Sequence, residues 1–162
     1  MEKTHRYSGM VDISGKEITK RVALASSQIT MSPKAIEKLI KGESPKGDVL
    51  ETAKIAAIMA AKSTSQLIPH CHPLSLACVN IRFELDKRQC SVTSLAEVIA
   101  WGPTGVEMEA LTAACMASLT IYDMMKWADR AMIISDVMLL KKTGGKSGDY
   151  RRNIDAAKHR KA

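Results

Sequence analysis

The sequence predicts an α+β fold of the ferredoxin-like type, with an antiparallel sheet and helices on one of its faces. Apolar and polar residues alternate over residues 79–86, as in a strand with one buried face. An alanine-rich apolar stripe at helical spacing follows Thr104 and predicts a long helix. The predicted elements run β, α, α, β, β, α, β, and without the short first helix this is the βαββαβ order of ferredoxin-like folds.

The N-terminal part is predicted to contribute one strand and one short helix. Residues 1–17 show no sustained period and are expected to form a loosely ordered arm. A strand is predicted over residues 19–30. Ser32 is followed by a proline, as at many helix N-termini, and Gly42 is typical of a helix end. A short helix is therefore predicted over residues 33–41.

A second helix and a loop come next. Asp48, with Glu51 three residues later, resembles a capping box and predicts a helix that continues to about residue 67. Pro69 and Pro73 then bracket a His-Cys-His segment, which predicts a loop.

The second half is predicted to hold a hairpin, a long helix and a last strand. The helix start depends on Thr104 and Glu107, which fit a second capping box. Residues 144–162 are polar and basic and are expected to become mobile towards the end. The hairpin strands are predicted over residues 79–86 and 91–101, the long helix from the cap at Thr104 to about residue 127, and the last strand over residues 132–141.

The composition fits one cytoplasmic domain. Of the 162 residues, 46% are hydrophobic, enough for one core, so residues 1–162 are treated as a single domain with a flexible arm and a flexible tail from about residue 150. No apolar run approaches the roughly 18 residues of a membrane span, and no secretory signal is visible. The four cysteines form no CxxC pair and are expected to be reduced.

The net charge of +7 is concentrated at the C-terminal end. Residues 141–162 hold eight Lys or Arg and two acids, whereas the first 140 residues hold 16 and 15. A basic tail that binds nucleic acid is therefore an alternative function. The aromatic content of 4% offers few stacking platforms, so no nucleic-acid partner is expected.

Two loops combine reactive side chains with turn signals. Lys46 precedes a predicted helix start, where backbone N–H groups favour an anion, although a solvated lysine beside an ordinary N-cap is the more common case. His70, Cys71 and His72 could act as acids, bases or hydrogen-bond donors. Two histidines at this spacing do not complete a tetrahedral site, so no metal site is predicted.

The ends of the long helix carry further candidates. Asp123 and Lys126 lie three residues apart, so the carboxylate can orient the ammonium; an ordinary surface ion pair is the alternative. Glu109 precedes Asp123 by 14 residues, which is about 21 Å along a helix axis. One small ligand can contact both ends only if it is long or if a second subunit takes part.

A glycine-rich loop with three lysines, KKTGGKSGD, spans residues 141–149. It is not a P-loop, because the first glycine of that motif would fall at Leu140. A cationic loop that closes over phosphate oxygens is one interpretation, and a solvated tail is the other.

Five motifs stand in order along the chain, MVD, KGDV, LIPHCHPL, TGVEMEALT and LTIYDM, at residues 10–12, 46–49, 67–74, 104–112 and 119–124. Together they closely resemble the cyclic pyranopterin monophosphate synthase family, the MoaC proteins of molybdenum cofactor biosynthesis. The resemblance extends from about residue 10 to residue 150.

The resemblance implies a lyase that converts (8S)-3′,8-cyclo-7,8-dihydroguanosine 5′-triphosphate into cyclic pyranopterin monophosphate and pyrophosphate. It also implies the ferredoxin-like fold and a homohexamer built from dimers, with active sites at the dimer interface. No cofactor and no membrane partner are expected, although a divalent cation such as Mg²⁺ could accompany the triphosphate. A ligand-binding domain without catalytic activity is the remaining alternative on such a scaffold.

The resemblance also assigns residues. Asp123, Lys126 and Lys46 are implied as catalytic, with the two lysines exchanging protons while Asp123 orients Lys126. The implied substrate-binding residues are His70, Cys71, His72, Met108, Glu109, Glu107, Arg21, Lys142 and Lys146.

Overall fold

A computed structural model describes residues 9–153; residues 1–8 and 154–162, which include parts of the predicted arm and tail, lie outside the described residues. Within residues 9–153, no helix is long and apolar enough to cross a lipid bilayer. The elements in chain order are β1 (Thr19–Thr30), α1 (Pro33–Ile40), α2 (Val49–Lys62), α3 (Thr64–Leu67), β2 (Leu76–Asp86), β3 (Ser91–Gly102), α4 (Glu107–Met125), β4 (Ile133–Thr143) and β5 (Tyr150–Arg151).

The strands form one antiparallel sheet in the order β2-β3-β1-β4-β5. Strand β1 lies in the middle and pairs with β3 on one side and with β4 on the other. Strands β2 and β3 pair as the predicted hairpin. Apart from the short edge strand β5, this order is that of a ferredoxin-like sheet, so the predicted fold is confirmed.

Helices α2 and α4 pack against each other and against the sheet. The core beneath the first half of α4 contains twelve buried residues, of which ten are alanine. Small side chains allow the helix backbones to approach the strands and each other closely. Larger side chains, such as Ile29, Ile121 and Met125, fill a second core beneath the last turns of α4, where α1 also packs.

The caps of α1 follow the prediction. The Ser32 hydroxyl accepts a hydrogen bond from the Ala35 amide at 3.4 Å, and a proline occupies the first turn. Gly42 has a φ of +70°, a left-handed conformation that glycine adopts without steric cost. The Glu43 amide then donates to the Lys38 carbonyl at 3.0 Å, which satisfies a carbonyl of the last turn.

Two predictions of helix ends were wrong. The second helix ends at Lys62, because Ser63 leaves the helical conformation with φ −102° and ψ 8°, and Thr64–Leu67 form a separate short helix. The second capping box does not form. Helix α4 begins at Glu107, and its N-cap residue is Val106, not Thr104. No side chain forms a hydrogen bond at this N-cap.

Candidate active site

A carboxylate near the C-terminal end of α4 holds two lysines. Nζ of Lys126 lies 2.8 Å from Oδ1 of Asp123, and Nζ of Lys46 lies 2.6 Å from Oδ2. All three side chains are about half exposed: Lys126 at 52%, Asp123 at 53% and Lys46 at 46%. The structure thus contains the predicted pair of Asp123 and Lys126 and adds Lys46 to the same carboxylate.

The loop before α2 carries Lys46 to this position. The Ser44 hydroxyl donates to the Met124 carbonyl at 3.3 Å and accepts from the Lys46 amide at 3.3 Å. The Lys46 ammonium also donates to the backbone carbonyl of Asp123 at 3.2 Å. Backbone contacts as well as the ion pair therefore fix the loop on the end of α4.

Hydrogen bonds from Lys126, and next from Lys46, lower the pKa of Asp123 to about 2. The carboxylate is therefore ionised across the neutral range and does not serve as a proton donor there. An ionised carboxylate between two ammonium groups is suited to orienting both of them.

A cavity of about 730 Å³ lies at the other end of α4. It forms where the arm, the start of β1, the loop before α4 and the loop after β4 meet. Its wall combines four cationic side chains with two carboxylates: Lys16, Arg21, Lys142, Lys146, Glu17 and Glu107. This set of charges favours a polyanionic ligand.

Arg21 joins three segments of this cavity. Its Nε donates to the Gly102 carbonyl and its Nη2 donates to the Pro103 carbonyl, each at 3.2 Å. A Cβ added to Gly145 would lie 1.7 Å from Nη1 of Arg21, and Gly145 has a φ of +85°. Glycine is therefore required where the loop after β4 crosses the guanidinium.

Lys142 is held in the same cavity by β4. It is in register with Ala23 on β1, which is buried beneath α4, so the two side chains lie on the face of the sheet that α4 covers. Oε1 of Glu107 lies 3.4 Å from Nζ of Lys142. Lys146 is exposed and also lines the cavity.

A second cavity, of about 270 Å³, adjoins the first. His70, Cys71, His72, Met108 and Glu109 line it, together with residues that both cavities share. The shared wall consists of Thr104, Gly105 and Glu107. The structure therefore brings the His-Cys-His segment and the start of α4 together.

Glu109 is only 4% exposed. Burial raises the pKa of its carboxyl group; a hydrogen bond to its own backbone opposes this shift, and the neighbouring Glu107 adds to it. Burial, and next the proximity of Glu109, raise the pKa of the Cys71 thiol. Burial in the second cavity thus disfavours the charged forms of Glu109 and Cys71.

The structure does not bring all the predicted residues together within one subunit. Asp123, Lys46 and Lys126 line neither cavity. Asp123 follows Glu107 by 16 residues in α4, which corresponds to about 24 Å along the helix. Within residues 9–153, no group of three His, Cys, Asp or Glu side chains is placed to hold a metal ion.

Sequence reasoning missed several residues of the first cavity. Lys16 and Glu17 belong to the arm, for which no periodicity predicted a fixed position. Thr19 and Ser147 are ordinary polar residues with no motif around them. Ser14 and Gly15, which form a turn in the structure, are a signal that could have shown a bend in the arm near this point.

Comparison of the sequence with known proteins shows the family of this chain. A family model described as the MoaC family matches residues 10–145. A protein of Staphylococcus carnosus called cyclic pyranopterin monophosphate synthase is 53% identical over 144 residues, which are 88% of this chain and 89% of that protein.

Two further relatives with the same name have similar identities. The protein of Syntrophomonas wolfei is 51% identical, with 91% of this chain and 94% of the relative covered. The protein of Peptoclostridium acidaminophilum is 49% identical, with 94% of this chain and 98% of the relative covered. Because the family model and these relatives span most of the sequence, the chain belongs to the MoaC family.

Proposed function

We propose that this chain is a cyclic pyranopterin monophosphate synthase of molybdenum cofactor biosynthesis. Its substrate would be (8S)-3′,8-cyclo-7,8-dihydroguanosine 5′-triphosphate, and its products cyclic pyranopterin monophosphate and pyrophosphate. One observation carries the proposal: a cation-lined cavity adjoins a cavity with a buried carboxylate, and the family motifs line both. A nucleotide-derived substrate is consistent with a cytoplasmic enzyme.

The two cavities suit the two parts of such a substrate. The triphosphate would bind Arg21, Lys142 and Lys146 in the first cavity, where positive charge is concentrated. The guanine-derived ring would enter the second cavity beside His72 and Glu109. The carboxyl group of Glu109 would form a hydrogen bond with the ring.

Lys126 and Lys46 would supply the acid and base steps of the ring rearrangement. Asp123 holds both ammonium groups, so each is oriented and able to donate a proton. A hydroxyl of the ribose-derived part would then attack the α-phosphorus. One phosphorus–oxygen bond forms, the bond to the departing pyrophosphate breaks, and the hydroxyl proton passes to a lysine that has already donated its own.

The separation of about 24 Å between the two groups of residues supports a site shared by two subunits. A dimer in which α4 of one copy supplies Asp123 and α4 of the other supplies Glu109 would complete it. Both α2 and α4 expose apolar side chains that a partner could cover, among them Ile55, Met59 and Leu119. We therefore propose a homo-oligomer, and specifically a hexamer built from such dimers.

Turnover with the purified protein tests the proposal. The cyclised dihydroguanosine triphosphate is incubated with the protein, and both products are measured. Lack of product with the wild-type protein would refute the function. A parallel reaction with a chelator tests the expectation that no bound metal is needed and that Mg²⁺ at most accompanies the triphosphate.

Mixed subunits test the shared site. Asp123→Asn and His72→Ala proteins, each inactive alone, are unfolded together, refolded and assayed. In a mixed dimer one site carries both changes and the other carries neither, so random mixing restores about a quarter of the wild-type activity. If each site lies within one subunit, mixing restores nothing.

A further inference from the structure

Glu107 lies on the wall that the two cavities share. It forms its ion pair with Lys142 where the side chains are 29% and 21% exposed, so this pair is more shielded than the pair of Asp123 and Lys46. Shielding from water and salt strengthens the attraction between the two charges. Lys142 also donates a hydrogen bond to the Ser147 hydroxyl.

The other carboxylate oxygen of Glu107 lies over Gly105. A Cβ added to Gly105 would be 1.9 Å from Oε2 of Glu107, so only glycine leaves room for this conformation. The carboxylate thus lies beside the first turn of α4, which has no side-chain cap. Amide groups at such a helix start favour an anion, and in this structure the anion is the protein's own.

We infer that Glu107 competes with the polyphosphate for Lys142 and thereby promotes the release of pyrophosphate. This inference rests on the proposed function, in which the first cavity binds the triphosphate. A phosphate oxygen that approaches Lys142 also approaches the Glu107 carboxylate, and the two anions repel each other. Glu107 acts through Lys142 and is therefore a positioning residue in this role.

Weaker binding is useful because the first cavity holds four cations. Pyrophosphate bound by all of them would leave slowly, and a slow release step limits turnover. Affinity that is equal for substrate, transition state and product does not accelerate the chemical step. A carboxylate inside the site lowers the affinity without removing the cations that neutralise the leaving group.

Inorganic pyrophosphate is the probe for this inference, and its dissociation constant is measured by titration calorimetry. Glu107→Gln keeps the side-chain shape and removes the charge. We expect it to bind pyrophosphate about two- to fivefold more tightly, the range that one partly exposed ion pair provides. Tighter binding cannot result from a folding defect, which would weaken it. Single-turnover kinetics of the same variant should show slower pyrophosphate release.

Glu17→Gln is the matched control. Glu17 lines the same cavity but forms no ion pair with Lys142 within the described residues, so its effect should be clearly smaller. When Lys142 is also changed to Met, Glu107→Gln should no longer tighten pyrophosphate binding, because the ammonium for which Glu107 and pyrophosphate compete has been removed.

Three results would overturn the inference. They are unchanged or weaker pyrophosphate binding by Glu107→Gln, an equal gain from Glu17→Gln, and a gain that persists without Lys142. Failure of the proposed function is distinguishable from all three, because it appears as a lack of product in the turnover assay, whereas these three results concern pyrophosphate binding.

Discussion

The ammonium nitrogen of Lys46 lies 2.6 Å from Oδ2 of Asp123, although 77 positions separate the two residues in the chain. The other oxygen of this carboxylate holds Lys126 at 2.8 Å. One carboxylate therefore fixes two ammonium groups, one on each oxygen. Because all three side chains are about half exposed, the arrangement adds little to stability and is suited to a functional role.

Asp123→Asn should reduce turnover by about 100-fold or more, since both lysines lose the charge that orients them. The thermal unfolding midpoint should stay close to that of the wild-type protein. Steady-state kinetics and calorimetry measure the two effects.

Glu51→Gln provides the control for this change. Glu51 and Lys54 form an exposed i,i+3 ion pair on α2 at 2.5 Å, similar in kind to that of Asp123 and Lys126. The control should keep full turnover. Equal activity of both variants would contradict an orienting role of Asp123.

Glu109 should make the stability of the protein depend on pH. Burial raises the pKa of Glu109 above the ordinary value of 4.5, so the folded chain keeps a proton that the unfolded chain loses. Because the folded state then binds more protons, the contribution of Glu109 to stability is fully present below pH 4.5 and is lost as the pH rises through the folded pKa.

Urea unfolding of the wild-type and Glu109→Gln proteins at a series of pH values measures this loss. Glutamine does not titrate, so the difference in unfolding free energy between the two proteins should shift against the wild type as the pH rises. A constant difference across the series would rule out the raised pKa. Exposed Glu84, replaced by Gln, serves as the reference change.

Gly145→Ala should weaken both pyrophosphate binding and substrate turnover. The added Cβ would collide with the Arg21 guanidinium, so the loop or the arginine must move. We expect kcat/KM to fall by about tenfold, because small displacements of binding groups are costly.

Gly148→Ala separates this collision from backbone strain. Gly148 also has a positive φ, +69°, but a Cβ there would meet no atom within 4 Å. The two variants should therefore share any strain effect, and only Gly145→Ala should show the additional loss. Similar kinetics for both would mean that the contact with Arg21 is unimportant.

Ala113→Leu should destabilise the fold. Ala113 is fully buried in the alanine-rich core, and extra methylene groups there should cost about 1–3 kcal/mol of unfolding free energy. Urea unfolding measures the loss. Exposed Ala77, changed to Leu in the same way, should alter stability by less than about 0.5 kcal/mol. A loss no larger than at Ala77 would show that the core accommodates leucine.

Local patterns predicted much of the fold because many helix and strand signals act over a few residues. Ser32 and Gly42 bound α1 through contacts with their immediate neighbours. The capping box of Asp48 forms only in half: Asp48 accepts from the Glu51 amide at 2.9 Å, while the Glu51 carboxylate pairs with Lys54. The second box fails because α4 begins at Glu107, so Thr104 is not its N-cap. Glu107 instead pairs with Lys142, a contact between distant segments.

The candidate site was predictable in its residue types and less so in its arrangement. The spacing of Asp123 and Lys126 indicated their pairing, because three residues bring side chains to one helix face. The contact of Lys46 with Asp123 depends on the packing of α2 against α4, which periodicity does not specify. Lys16 enters the first cavity from a segment without regular structure, so no pattern indicated it.

The alanines beneath α4 also limit how the two ends of that helix can move. Alanine has no side-chain torsions to rearrange, so a contact made of alanines offers few alternative packings. Helix α4, whose length is set by its rise per residue, can then neither slide nor rotate on the sheet without losing much of this contact. In this chain the distance between the side chains around Glu107 and those around Asp123 is therefore fixed by the fold. A substrate or a partner subunit must match that distance.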